Sequence, residues 1–169
     1  MKIAAICTSD IPSTKANAIQ VMKVMDALLA LDHEVRLWSP GEGSADLQGI
    51  KQLFGMQQLP QLKWASSDPR WKRYDYIAST FLQTLFWKPD LIYTWTLQTA
   101  VLGLIFRIPV ILELHDRPTG KVGVLAFNRF VKKKKGKKRL LLITDALRNA
   151  LENEQQLNLS HEWVQITPN

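Results

Sequence analysis

The sequence predicts an α/β protein built on a mostly parallel sheet. Short apolar runs recur along it: KIAAIC at 2–7, EVRLW at 34–38, DLIYTW at 90–95, PVILEL at 109–114 and RLLLI at 139–143. Between them lie longer stretches whose apolar residues return at helical spacing. Breakers such as Pro40-Gly41 and Pro89-Asp90 separate the two kinds of segment. Strands that alternate with helices imply parallel pairing, with helices on both faces and right-handed crossovers.

Taken in order, the strand at 2–7 leads through a loop at 8–14 into a helix over 15–31. Ile19, Met22, Met25 and Leu29 form its apolar stripe, widened by Val21 and Leu28. The strand at 34–38 stops at Pro40-Gly41, and a Gly- and Gln-rich stretch to about residue 60 holds one short helix. A third strand is expected at 61–65 and a turn at 66–69. The helix over 71–87 places Tyr74, Ile77, Ala78, Phe81, Leu82 and Leu85 on one side. A strand at 90–95, a helix at 97–107, a strand at 109–114 and a helix at 119–131 follow. The last elements are the strand at 139–143, a helix at 145–156 and a short strand at 163–166.

With 169 residues, 46% of them hydrophobic, the chain can bury a core in a single domain. The lone Cys7 has no internal disulfide partner, lies in an apolar strand, and implies a small core residue in a reducing, cytoplasmic setting. No run has the pattern of a secretory signal or the length of a membrane span. The net charge of +7 is concentrated at Lys132, Lys133, Lys134, Lys135 and on to Arg139, with a smaller group at Arg70, Lys72 and Arg73. Such charge suits an anionic partner.

In this architecture, ligands meet the loops beyond the carboxyl ends of the strands. Four loops bring polar groups there. The first, 8–17 (TSDIPSTKAN), feeds a helix N-terminus with Ser13, Thr14, Lys15 and Asn17, where N–H groups and the helix dipole favour anions or where a hydroxyl simply caps the helix. It has no glycine, so neither familiar phosphate-binding fingerprint is present. The second loop carries Thr96, and the fourth Thr144 and Asp145. The third contains His115, the strongest single candidate, because an imidazole exchanges a proton near neutrality. Glu113 or Asp116 could orient it, and in a strand Glu113 and His115 point to the same side.

The segment 71–87 mixes basic, aromatic and apolar residues, a pattern of either core or membrane contact. In the latter case Arg70, Lys72 and Arg73 sit at headgroups and Trp71 and Trp87 at the boundary. His33 and His161 lie far from His115 in sequence, and no spacing suggests a metal site. A hydrolase would need a nucleophile elbow that the sequence lacks. It also lacks a recognised RNA- or DNA-binding motif.

The series DIPSTKANAIQVMKVMDALLALDHEVRLWSP, PDLIYTW, PVILELHD, RLLLITDALRNAL and WVQITPN resembles, in order and over nearly the whole chain, the N-terminal domain of the family 4 glycosyltransferases. The resemblance implies one half of a GT-B enzyme, in which two Rossmann-like domains face a cleft. Residues 1–169 would be the single acceptor-side domain, and the donor-binding domain would follow Asn169, leaving this chain alone with little or no turnover. The resemblance also implies retaining transfer without a metal from a nucleotide-sugar, with no other cofactor. The acceptor would be lipid- or polysaccharide-linked, at the cytoplasmic face of a membrane. His115 falls at the family's active-site histidine, supported by Glu113 and Asp116, and Ser13 to Asn17 near the donor diphosphate. Two departures stand out: Ser13-Thr14-Lys15-Ala16 replaces a Gly-Gly pair, and Asp32 replaces a helix-ending glycine. The alternative is a non-catalytic Rossmann-like module that binds nucleic acid or a lipid surface through its basic face.

Overall fold

A computed structural model describes residues 1–167 except 44, 45, 72, 134 and 135. The chain divides into two compact units, Met1–Leu91 and Ile92–Asn169.

The first unit contains β1 (Lys2–Ile6), α1 (Ala16–Ala30), β2 (Glu34–Pro40), α2 (Leu47–Phe54), β3 (Gln61–Ala65), a 3-10 turn at Pro69–Trp71 and α3 (Tyr74–Trp87). Its strands are ordered β3-β2-β1, every pair parallel, with Ile3 opposite Val35 and Leu37 opposite Leu62. Ile3 to Ile6 are all buried although alternate residues face opposite sides, so this strand is covered on both faces.

α1 buries Ala18, Val21, Met22 and Met25, whereas Ile19, expected in the stripe, is 40% exposed. The helix ends as a Schellman motif. His33 N–H bonds the Leu28 carbonyl, Asp32 N–H bonds that of Leu29, and Asp32 adopts φ 56°. An aspartate thus takes the left-handed position that glycine occupies without a Cβ penalty.

The helix expected from residue 71 begins at Tyr74. Arg73 has φ 66°, and Asp75 Oδ2 accepts the Asp68 N–H at 2.8 Å, which holds the preceding turn apart from the helix. The buried face of α3 also differs from the expected stripe. It is Tyr76, Ile77, Thr80, Phe81 and Thr84, while Tyr74, Ala78 and Leu82 are exposed. The two threonines are compatible with burial because each hydroxyl bonds the carbonyl four residues earlier, at 2.7 and 2.8 Å.

The second unit contains β4 (Leu91–Thr94, whose first residue belongs to the first unit), α4 (Leu97–Ile105), β5 (Val110–Leu114), α5 (Gly120–Lys132), β6 (Lys138–Leu142), α6 (Asp145–Gln155) and β7 (Val164–Ile166). Its strands run β4-β5-β6-β7, again all parallel, with Thr94 opposite Leu112 and Leu112 opposite Leu140. Its core includes Ile92, Leu104, Val110, Leu112, Phe127, Phe130, Leu140 and Leu151. Gly103 permits the close approach of α4, since a Cβ there would stand 2.6 Å from Val110 Cγ2.

Lys138 departs from the basic run around it. Its Nζ donates to the carbonyls of Phe130, Val131 and Lys133 at 2.8, 2.6 and 3.0 Å, closing the end of α5, and lies 4.4 Å from the Trp163 ring centre. Burial pulls its ammonium down to about 8, so it is charged at neutral pH. Lys138→Met leaves those carbonyls without their donor and is expected to cost about 2 kcal/mol. Thermal unfolding followed by circular dichroism should show a drop of about 5 °C; an unchanged midpoint would refute this role.

Candidate functional site

The second unit places a buried carboxylate at the carboxyl end of β5 and converges two donors on it. Glu113 is 3% exposed. His115 Nε2 lies 2.6 Å from Glu113 Oε1, as expected for residues two apart on a strand. From the neighbouring strand, the Tyr93 hydroxyl donates to Glu113 Oε2. The parallel register sets Tyr93 opposite Ile111, two residues before Glu113 and on the same face. The Tyr93 and Trp95 rings pack at a 45° tilt with 5.0 Å between centres. The Trp95 indole N–H is buried without a hydrogen bond, and its dipole helps to lower the same carboxyl.

Burial pushes the Glu113 carboxyl up, but hydrogen bonds from His115 and Tyr93, the Trp95 indole dipole and the imidazole's charge outweigh it and hold the carboxyl below its usual range. Burial, and then Glu113 itself, push the Tyr93 hydroxyl far up, so it stays a neutral donor. An ionised carboxylate only accepts, so His115 Nε2 carries the proton and Nδ1 is the ring nitrogen left for a ligand. The His115 side chain is 20% exposed and so remains open to one. Such an arrangement can present an oriented imidazole, neutral or cationic, to a polar substrate.

The other expected residues of this unit divide by environment. Asp116 is exposed, and it is Glu113 that holds the ring. Thr96 is buried and bonded to Thr94, both through its backbone N–H (3.1 Å) and between hydroxyls (3.0 Å). Thr144 caps α6 by accepting the Leu147 N–H at 3.1 Å, and Asp145 follows in the first turn, where negative charge suits the dipole.

In the first unit, the loop after β1 is tied down at several points. Ser39 Oγ accepts the Ile11 N–H and donates to the Ser9 carbonyl, both at 3.0 Å. The Trp64 indole donates to the Ile11 carbonyl at 2.8 Å, and the Tyr76 hydroxyl reaches the Cys7 carbonyl at 2.7 Å. Burial pushes the Cys7 thiol up to about 12, making it an inert core group. Ser13 Oγ accepts the Lys15 N–H at 3.2 Å, while Lys15 itself is the N-cap of α1 and no side chain caps the helix. Thr14, Lys15 and Asn17 are exposed.

A cavity of about 490 Å³ opens beyond the carboxyl ends of the three strands of this unit. Asp10, Gly41, Glu42, Ser66, Ser67 and Arg73 line it, with Pro40, and none of Ser13 to Asn17 does. Two carboxylates, two hydroxyls and a guanidinium can hydrogen-bond a polyhydroxyl ligand. Of these only Arg73 was singled out by sequence, and then as part of a surface cluster. Its guanidinium instead donates to the Thr8 carbonyl. Arg70 and Trp71 are exposed, and Lys72 lies outside the described residues. Trp87 is half-buried and packs edge-on to the buried Trp38, with Arg36 4.4 Å from its ring centre. In the basic run, Lys132 is exposed and Lys133 half-buried, while Lys134 and Lys135 lie outside the described residues. Among the described residues, no helix is long and apolar enough to cross a membrane.

No protein-family model matches the sequence, and no curated protein resembles it closely enough to be matched. Solved structures do match. The Anabaena protein HepE, in complex with UDP and glucose, is 18% identical, with a TM-score of 0.63 over 100% of this chain and 44% of its own. The UDP-GlcNAc 2-epimerase of Neisseria meningitidis, bound to UDP-GlcNAc, is 14% identical, with a TM-score of 0.65 over 99% of this chain and 46% of its own. The chain therefore spans less than half the length of these structures. It has an α/β, Rossmann-like fold that matches one half of these GT-B neighbours.

Proposed function

We propose that this chain, a glycosyltransferase-like domain by fold, is the acceptor-side half of a retaining glycosyltransferase of family 4 type. It would use a nucleotide-sugar donor and a lipid- or polysaccharide-linked acceptor at the cytoplasmic face of a membrane. The observation that carries this reading is the imidazole of His115, held by a buried ionised carboxylate at the open carboxyl end of a parallel strand. His115 contacts the transferred sugar, and Glu113 positions it. The uncapped start of α1, with Ser13, Thr14, Lys15 and Asn17, meets the donor diphosphate. The cavity between Asp10, Glu42 and Arg73 takes the hydroxyls of the acceptor. Donor recognition belongs to a second domain outside these residues.

A fusion of this chain to a GT-B donor-binding domain, supplied with UDP- and TDP-sugars and a panel of lipid-linked and oligosaccharide acceptors, tests the reading. The expected product keeps the anomeric configuration of the donor, as read by NMR. An inverted product refutes retention, and no transfer to any acceptor refutes the transferase assignment. Epimerisation of UDP-GlcNAc without an acceptor would establish a second reading, which the likeness to the Neisseria enzyme motivates.

A further inference from the structure

We propose that the outer face of α5 docks on an anionic phospholipid surface, which deepens the membrane side of the reading above and rests on it for biological context. From Arg117 to Thr144 the sequence carries no acidic residue. In that span Lys121, Leu125, Arg129 and Lys132 recur three or four apart on α5 and are all exposed, so they line one face of the helix. Val122 flanks them, 49% exposed, and Leu125 is 59% exposed. Cations and aliphatic side chains therefore share one helical face.

A second apolar pair lies at the end of α4: a Cβ on Gly136 would stand 3.2 Å from Leu104 Cδ2, and the residues that follow Leu104, Ile105 and Phe106, are exposed. The run's own cations are not all available. Lys138 is folded back onto α5, and Arg139 donates to the Glu162 carbonyl. Arg117 pairs with Glu154. Lys121, Arg129, Lys132 and Lys137 remain exposed.

The mixture selects the occupant. A bilayer takes aliphatic groups at the acyl boundary while lysine and arginine meet the headgroup phosphates. A nucleic-acid backbone would use the cations and gain nothing from burying Leu125 and Val122, since it stacks its bases on aromatic rings.

Co-sedimentation of the intact chain with vesicles tests this directly. Vesicles of phosphatidylcholine containing about 30% phosphatidylglycerol should bring the protein down at about 0.15 M salt, and pure phosphatidylcholine should not. Leu125→Glu is expected to lower partitioning by about tenfold or more, and Val122→Ser with Leu125→Ser, which adds no charge, by about tenfold. Arg129→Gln should lower it by about fivefold. These positions are exposed, so circular dichroism melting should be unchanged. Partitioning that survives both apolar variants overturns the proposal, as does failure to sediment with anionic vesicles. Salt-sensitive binding to a single-stranded oligonucleotide without vesicle binding would assign the face to nucleic acid instead. None of these readouts involves sugar transfer, so their failure and that of the transferase reading are separable.

Discussion

His115→Ala is expected to lower sugar transfer by the fused two-domain enzyme by about 100-fold or more. The ring's Nε2 is committed to Glu113, so the position of the remaining nitrogen is set by a carboxylate that is itself pinned from two strands. A group so fixed arrives at the substrate already oriented, which is where most of its value to the transition state resides. Removing it should act mainly on kcat rather than KM. The side chain is partly exposed, so water can replace its bond to Glu113, and the stability change should stay near 1 kcal/mol. Initial rates and melting curves on the same preparations separate the two effects. Full activity in a folded variant would remove His115 from the site.

The second large effect is on stability. Glu113→Ala deprives the buried Tyr93 hydroxyl and the His115 imidazole of a common acceptor, and stranding buried partners in this way is expected to cost about 3–5 kcal/mol. The unfolding midpoint should fall by roughly 10 °C. Glu113→Gln keeps the shape but offers one accepting oxygen and an amide that confronts donors, so it should cost less than alanine and still more than a surface change. The pH dependence carries a definite sign. The folded carboxyl titrates below its unfolded value, so its stabilisation is complete above the ordinary carboxylate range. It is lost as pH falls through the lowered folded value. The stability gap between the native protein and Glu113→Gln should therefore be widest near neutrality and close in acid. A gap that does not vary with pH would show that Glu113 is not held ionised. As a positioning residue, Glu113 should also shape catalysis: Glu113→Gln in the fused enzyme should alter the pH profile of kcat, which a purely structural role would not move.

Much of the site could be read in the sequence because it is local. PVILEL followed by His115 announces a buried strand with a titratable end, and the two-residue repeat of a strand puts Glu113 and His115 on one side. Tyr93 and Trp95 escaped notice although they alternate in the same way within DLIYTW. Their role depends on register, since Tyr93 meets a carboxylate 20 residues later only because β4 and β5 pair in parallel with Tyr93 opposite Ile111. An aromatic pair two apart, on a strand expected to neighbour a buried acid, was the available signal. The cavity left no local trace, because its lining comes from three separate loops. Lys138 was indistinguishable by composition from the lysines around it.

The chain's own pattern determined the class of fold, the number and order of its strands and helices, and the histidine at the end of β5. Those features rest on backbone geometry with short periods, which side-chain polarity records directly along the chain. Only the tertiary structure decided what Glu113 pairs with, which cations turn inward, and which face of α3 is buried. Each of those depends on residues distant in sequence that meet through strand register and helix rotation, and on whether a buried polar group finds a partner there. Arg73 shows the difference in one residue: by sequence a member of a basic cluster, by structure a donor to the Thr8 carbonyl at the edge of a cavity.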